Sequence, residues 1–407
     1  MLEHILKDDL VYRQLKDEVE DYCGPVLVSG CTDTAKWHLT SLIGNHKKKQ
    51  FKIIIVPDEN KARQWVEASH FFGEKVQYIP AKDPLFYTAD VHGNAIARDR
   101  MLAIKKIVDD KCGTFVMTID AVMDQVVPLS DIKNHKMTFK MGETLEEATI
   151  AEEFVARGYE KAPFVEAPGE FAVRGGIIDI FPYTQESPYR IELWGDEIDS
   201  IRSFDAQSQR SLENLDDVTI YPAAEQPMEK NGVSFLDYFK ETETLFFLDE
   251  LNHLEENAKA VQEEFQQSCE NRKEKGEISL SGDWMCTWEE LCHKINDRNC
   301  VAMSLLDPKK SNWKISGQFN ITVKSMSSYQ SSFELLVKDL KQYKKEGYQI
   351  VLLSGSRTRA ERLAKDLQEE GLNAFYGQDS DRILQPGEIM VAYGHARRGF
   401  EYPLIKF

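Results

Sequence analysis

Pro25-Val26-Leu27-Val28-Ser29-Gly30-Cys31-Thr32-Asp33-Thr34-Ala35-Lys36-Trp37 is the stretch whose reading decides the fold. It opens as a short apolar run, turns at a glycine and continues into a helical segment. Strand, glycine turn and helix in that order form the setting of a phosphate-binding loop, whose pattern is G-x-x-x-x-G-K-[ST]. The first glycine, Gly30, and the lysine, Lys36, are in place, but Ala35 replaces the second glycine and Trp37 the hydroxyl residue. Each replacement matters physically. A Cβ at the second glycine crowds the path by which backbone approaches phosphate, and an indole cannot ligate magnesium as a hydroxyl does. Asp33 adds a negative charge where phosphate oxygens would lie.

Working outward, Phe51–Val56 and Phe115–Ile119 are further apolar runs separated by helical segments. Runs of this kind are expected of buried parallel strands, so residues 1–135 read as the first piece of an α/β sheet domain. Over 136–222 strand signals dominate, punctuated at Pro168-Gly169, Gly175-Gly176 and Pro182. Two alternating runs joined by Gly195-Asp196 give a hairpin signal, and this segment reads as a β-rich insert. Over 223–315 the chain returns to the first domain: Thr244 to Glu250 reads as a buried strand ending in two acids, and 253–275 as a charged helix. Residues 320–407 read as a small α/β domain. It has a helix with a capping-box pattern at Ser331 or Ser332, a strand at Gln349–Ser354 and a helix at Thr358–Glu370 stopped by Gly371. A last strand runs from Ile389 to Tyr393. The fold class is therefore α/β: a P-loop-like parallel-sheet domain carrying a β-rich insert, then a smaller α/β domain.

Asp249 and Glu250 stand where strand-end acids hold magnesium and activate water in P-loop ATPases. Alone they would read as a strand ending on a polar turn or cap. Beside the broken loop they read as the other half of a degenerate nucleotide site made of Gly30, Ala35, Lys36, Trp37, Asp249 and Glu250, with hydrolysis not expected.

The chain has 407 residues, enough for three or four domains. Its net charge of −18 argues against a free-standing DNA-coating protein, because phosphate binding needs clustered Lys and Arg. It fits a protein that meets basic surfaces on other proteins. The seven cysteines form no C-x-x-C pair, so neither a zinc site nor a disulfide framework is expected. The N-terminus lacks the pattern of a signal peptide, and no apolar run is long enough to span a bilayer. A cytoplasmic location is the expectation. Pro403-Leu404-Ile405-Lys406-Phe407 reads as the start of a buried strand, so the sequence is expected to be a piece of something longer.

In the insert, period-2 spacing puts Arg190, Glu192 and Trp194 on one face of their strand, with Tyr189, Ile191 and Leu193 on the other. The core claims the apolar set, which leaves Trp194 among charges and toward solvent. Across the hairpin the same face is expected to carry Glu197, Asp199 and Ile201. Arg174, before Gly175-Gly176, sits at a turn or bulge that re-aims it. An arginine and an aromatic on a partly charged face have hot-spot composition. The plainer reading pairs Arg174 and Arg190 with Glu192, Asp196 or Asp199 and lets Trp194 cover the hairpin.

Arg174-Gly175-Gly176-Ile177-Ile178-Asp179-Ile180-Phe181-Pro182, followed by Tyr189 to Arg202, resembles the signature shared by UvrB and the transcription-repair coupling factor family, Mfd. Ser203-Phe204-Asp205 and Ser208-Gln209-Arg210-Ser211 resemble the Mfd version, and the broken loop points the same way. The resemblance covers essentially the whole chain. It implies a UvrB-like domain in two pieces, a UvrA-binding domain inserted between them and a small third domain of unassigned role, truncated here at its C-terminus. It implies UvrA as partner, with Arg174, Arg190 and the aromatic Trp194 carrying the contact; other members have Phe at the Trp194 position. It implies a non-enzymatic recruiting part of a longer ATP-dependent DNA translocase that displaces stalled RNA polymerase in nucleotide excision repair. ATP, magnesium, double-stranded DNA and RNA polymerase then belong to parts of that longer protein beyond Phe407, and no cofactor or metal is expected in this chain.

Two other classes stay open. Arg397-Arg398-Gly399-Phe400-Glu401-Tyr402-Pro403 resembles a late helicase motif, which would suit an ATPase with a relaxed site; a basic turn before a strand is the plain alternative. The stretch from Pro84-Leu85-Phe86-Tyr87 to His92 stands where UvrB carries a DNA-gripping hairpin. Here it is short and equally reads as a loop packed on the core.

Overall fold

The computed structural model describes residues 5–7, 9–21, 24–44, 50–69, 71–72, 74–82, 91–223, 225, 232–239, 243–275, 285–308, 313–326, 329, 332–377, 382–394 and 398–407. Most of the stretch from Pro84 to His92, and Arg397, lie outside these residues. The architecture is α/β. Seven strands form one sheet in the order Gly317–Asn320, Pro25–Ser29, Cys300–Ser304, Thr244–Asp249, Phe51–Val56, Gly113–Thr118 and Val76–Ile79, and every pairing is parallel. Both faces are buried, which is why these strands are apolar without alternation. Ile53, Ile55, Phe115, Met117, Phe246 and Leu248 pack on one side. Val26, Val28, Ile54, Val116, Phe247 and Val301 pack on the other. Two strands from beyond residue 240 thus lie between Pro25–Ser29 and Phe51–Val56.

The β-rich segment hangs on an antiparallel ribbon in which Met137–Lys140 pairs with Asp217–Ile220. Between these strands lies a six-stranded sheet, in the order Ser211–Leu215, Glu197–Phe204, Tyr189–Trp194, Ile177–Ile180, Glu170–Arg174 and Glu160–Lys161. Its inner face packs Phe171, Ile178, Ile180, Ile191, Ile198 and Ile201 against Phe154 and the ribbon. Ile201 is therefore in the core and not on the outer face expected for it. Leu193 pairs with Ile198 but Glu192 with Ser200, so the register shifts there and Asp199 has no partner of its own. One extra residue on a strand reverses the facing of everything beyond it.

The smaller unit is a parallel sheet in the order Ile350–Ser354, Glu388–Tyr393, Asn373–Tyr376. Its helices bury Val337, Leu340, Ala360, Ala364 and Leu367 against it. The helix Phe333–Glu346 has Ser332 at its N-cap position, but the expected capping box is not made. A full box forms instead at Thr287 and Glu290, where each side chain bonds the other's backbone N–H. Pro403–Lys406 is a turn, not a strand. Lys406 sits at φ +57°, and Tyr402 and Phe407 exchange backbone hydrogen bonds across the turn. The strand before it, Gly399–Glu401, pairs with Lys324–Met326. Among the described residues no helix is long and apolar enough to cross a membrane.

Apart from both sites described below, Asp124 is buried, with its Oδ2 accepting from the Lys82 N–H at 2.8 Å and lying 3.6 Å from Arg100 Nη1. Burial, which these neighbours only partly offset, pushes its carboxyl up to about 7.

Candidate functional sites: a closed loop and an open cationic face

The loop after Pro25–Ser29 keeps the strand–turn–helix path of a phosphate site. Gly30 turns at φ +81° and the helix Asp33–Leu42 follows, with Thr32 as N-cap. The positions around it are occupied by the protein itself. The Gly30 and Cys31 N–H groups donate to the carbonyls of Leu305 and Ser304 at 3.3 and 3.2 Å. A Cβ on Gly30 would lie 2.3 Å from the Ile321 carbonyl oxygen, so this glycine is needed for the approach of a neighbouring chain segment. Ala35 is fully buried, and Trp37 packs edge-on against Trp65, ring centroids 6.3 Å apart.

Lys36 is also fully buried. Its Nζ lies 2.5 Å from Asp249 Oδ1 and 2.5 Å from Glu250 Oε1. The Trp65 indole N–H donates to Asp249 Oδ2 at 3.0 Å, and the Leu305 N–H donates to Glu250 Oε1 at 2.9 Å. Glu250 reaches this position from a left-handed backbone at φ 61°. Burial alone would lower the lysine's pKa, but the Asp249 and Glu250 charges and hydrogen bonds outweigh it and hold the ammonium above its ordinary value. For Asp249 burial acts upward, and Lys36 together with the Trp65 hydrogen bond brings the carboxyl below the usual range. Burial pushes the neighbouring Cys31 thiol up to about 12. Asp33 turns outward to Lys61, 2.7 Å away. Gly30, Ala35, Lys36, Trp37, Asp249 and Glu250 are thus brought together, as a lysine neutralised by two acids inside a closed shell.

The smaller unit covers the opposite side of the loop helix. The Thr34 hydroxyl donates to the Arg398 carbonyl at 2.8 Å. His38 shares a hydrogen bond with the Tyr402 hydroxyl at 3.2 Å and is ringed by Phe72, Phe400, Tyr402 and Phe407. The segment that resembles a late helicase motif therefore lies, from Arg398 onward, against the loop helix.

The six-stranded sheet of the insert presents the opposite case. Register places Arg174, Asp179, Arg190, Glu192 and Trp194 on one face. Trp194 ends its strand at the hairpin and is 84% exposed. Arg174 and Arg190 do not pair with Glu192, Asp196 or Asp199; both converge on Asp179, which is fully buried. Arg190 Nε donates to Asp179 Oδ1 at 2.6 Å, and its Nη2 to Oδ2 at 2.9 Å. Arg174 Nη2 lies 2.5 Å from the same Oδ2. Glu192 is taken by Arg202 and by Ser200. Each of the two arginines also lies over a ring. Arg190 is 4.4 Å above buried Phe204, and Arg174 4.6 Å above Phe164, which is 57% exposed. The Arg174 and Arg190 side chains keep 35% and 15% of their surface exposed.

Sequence reasoning missed Asp179, Phe164, Gln209 and Trp65. For Asp179 a signal existed: in Ile177-Ile178-Asp179-Ile180 period 2 sends the acid to the face of Arg174 and Arg190. For Phe164, Gln209 and Trp65 no periodicity marks the role.

A parallel sheet with a closed phosphate-type loop, bearing a β-rich unit with an open arginine-bearing face, defines a P-loop-like protein with a β-rich insert. Residues 137–225 match the family described as UvrB interaction domain. Along its length the chain is related to transcription-repair-coupling factors. It is 25% identical to that of Bacillus subtilis (strain 168) over 93% of this chain and 37% of that protein. It is 22% identical to that of Staphylococcus haemolyticus over 99% of this chain and 39% of that one. These matches relate it to the N-terminal region of that family, and it spans little more than a third of the length of these relatives. A crystal structure of a hypothetical ATP-dependent RNA helicase from Sulfolobus tokodaii also matches, with a TM-score of 0.26, 7% identity, and coverage of 94% of this chain and 77% of that one; a likeness this slight carries no argument.

Proposed function

We propose that this chain is the UvrA-recruiting part of a transcription-repair coupling protein and that it performs no nucleotide hydrolysis itself. The observation that carries the reading is the outer face of the 137–225 unit, where Trp194 stands in solvent on the same face as two arginines. An aromatic with arginines on a rigid sheet can supply buried apolar area and charge-assisted hydrogen bonds to acids on a partner. The chain's overall charge of −18 makes this cationic face a local exception. The closed loop supports the second half of the proposal, since Lys36 already has two carboxylates and Gly30 a carbonyl where phosphate would approach. Translocation on double-stranded DNA and displacement of RNA polymerase belong, in this reading, to further parts of the longer protein.

Titration calorimetry of the chain against UvrA tests the proposal, with Trp194→Ala and Arg190→Ala alongside. We expect binding by the parent chain and a loss of about 2 kcal/mol or more for each variant. No binding by the parent chain, or equal binding by both variants, would overturn it.

A further inference from the structure

We propose that Asp179 is the positioning residue of the docking face: it holds Arg174 and Arg190 as one preassembled pair of guanidinium groups, with the exposed Phe164 ring stacked against Arg174. The inference rests on the docking reading above and extends it to two residues that reading does not use.

The geometry is specific. Ile177–Ile180 runs between the strands that carry the two arginines. Asp179 is the direct register partner of Arg190 on one side and of Ala172 on the other, with Arg174 two residues further along. Both carboxylate oxygens are used: Oδ1 by Arg190 Nε, and Oδ2 by Arg190 Nη2 and Arg174 Nη2. Gln209 Oε1 takes a further bond from Arg190 Nη2 at 3.0 Å. Gln209 is itself held, its Nε2 donating to the Ala206 carbonyl at 2.8 Å. The Arg190 guanidinium is thus fixed on three sides, by Asp179, Gln209 and the Phe204 ring. Arg174 is fixed on two, by Asp179 and Phe164.

Charge counting gives the consequence. Two guanidinium groups against one carboxylate leave one net positive charge, set in a fixed plane at the surface. A free arginine loses much rotamer freedom when a partner immobilises it; arginines already held lose less. Phe164 adds an exposed ring that orients Arg174 by cation–π contact and leaves apolar surface for the partner. The partner surface that fits is a carboxylate flanked by apolar groups, so that it reaches the arginine pair while covering Phe164 and Trp194.

The test is titration calorimetry of the chain with UvrA for Asp179→Asn and Phe164→Ala, joined to side-chain NMR of the arginine Nε–H groups. Asparagine preserves shape and removes the charge that organises the pair. We expect at least about tenfold weaker binding for Asp179→Asn, together with loss of the solvent protection of the Arg190 Nε–H, a signature that weakened binding from another cause would not move. Phe164→Ala is expected to bind about threefold more weakly with an unchanged melting temperature. A folded Asp179→Asn that binds like the parent, or keeps a protected Arg190 Nε–H, overturns the proposal. Should Asp179→Asn fail to fold, Phe164→Ala decides it, and undiminished binding by that variant overturns it. No binding by the parent chain is a different result. It removes the docking reading and with it the positioning role, whatever the arginine spectra show.

Discussion

The chain contains two charged triads of opposite construction. In the closed loop one lysine is held by two acids, and in the insert one acid is held by two arginines. Each leaves one unit of charge in excess. At Lys36 the bonds point inward: Asp249 receives the Trp65 N–H and Glu250 the Leu305 N–H, and neighbouring segments cover the loop. At Asp179 the acid is buried but the cations keep exposed surface on the face that carries an exposed tryptophan. Similar ingredients thus make a structural lock in one place and a presentation surface in the other. Both centres are covered; what separates them is that the lysine triad also buries one outer member, Asp249, whereas both arginines keep exposed surface.

The largest test of that contrast is Lys36→Met. It strands two carboxylates, one of them fully buried, and should cost about 3–5 kcal/mol in denaturant unfolding. Arg and Trp on the insert face should be untouched, so UvrA affinity at a temperature where the variant is folded should equal the parent's. A variant as stable as the parent would dissolve the contrast. Trp194→Ala should do the reverse, lowering UvrA affinity as above while unfolding stability stays within about 0.5 kcal/mol.

A smaller effect, read by pH, sharpens what a close cation does. Asp249, with Lys36 at 2.5 Å, has a folded pKa below its unfolded value of about 3.9. Its contribution is present above that value and is lost as pH falls through the folded pKa. Asp124, 3.6 Å from Arg100 Nη1, has the opposite sign. Its folded pKa is raised to about 7. Its contribution is therefore fully present below about pH 3.9 and is lost as pH rises through about 7. Melting temperatures of the parent should fall between pH 6 and pH 8, and those of Asp124→Asn should fall less; parallel curves would refute the assignment. Smallest of all, millimolar Mg-ATP should leave the melting temperature unshifted, because a ligand that does not bind the folded state does not stabilise it. An upward shift would reopen the closed loop as a nucleotide site.

Much of this was legible in the sequence. The apolar runs at Phe51–Val56 and Thr244–Asp249 announce strands buried on two faces, and both lie inside the parallel sheet. Period 2 separated Ile191 from Arg190 and Trp194. What was hidden depends on distant neighbours. The motif groups Asp249 and Glu250 with Lys36, 213 and 214 positions away, but does not say that both pair directly with its ammonium, and the carbonyl that Gly30 accommodates belongs to distant Ile321. No local pattern gives that last approach. Ile201 was placed on the wrong face because one unpaired residue, Asp199, is invisible to a rule that counts in twos. Asp179 was overlooked because its importance lies in two arginines on adjacent strands, although its own face was readable.

The ribbon joining Met137–Lys140 to Asp217–Ile220 has a further consequence. Met137 and Ile220 are register partners, so the two ends of the segment between them lie about 5 Å apart. A segment whose ends meet in this way is a cassette. Its own strands close it, and its entry and exit lie within the reach of a short turn. Insert and framework are therefore joined at one place, where the chain enters and leaves side by side.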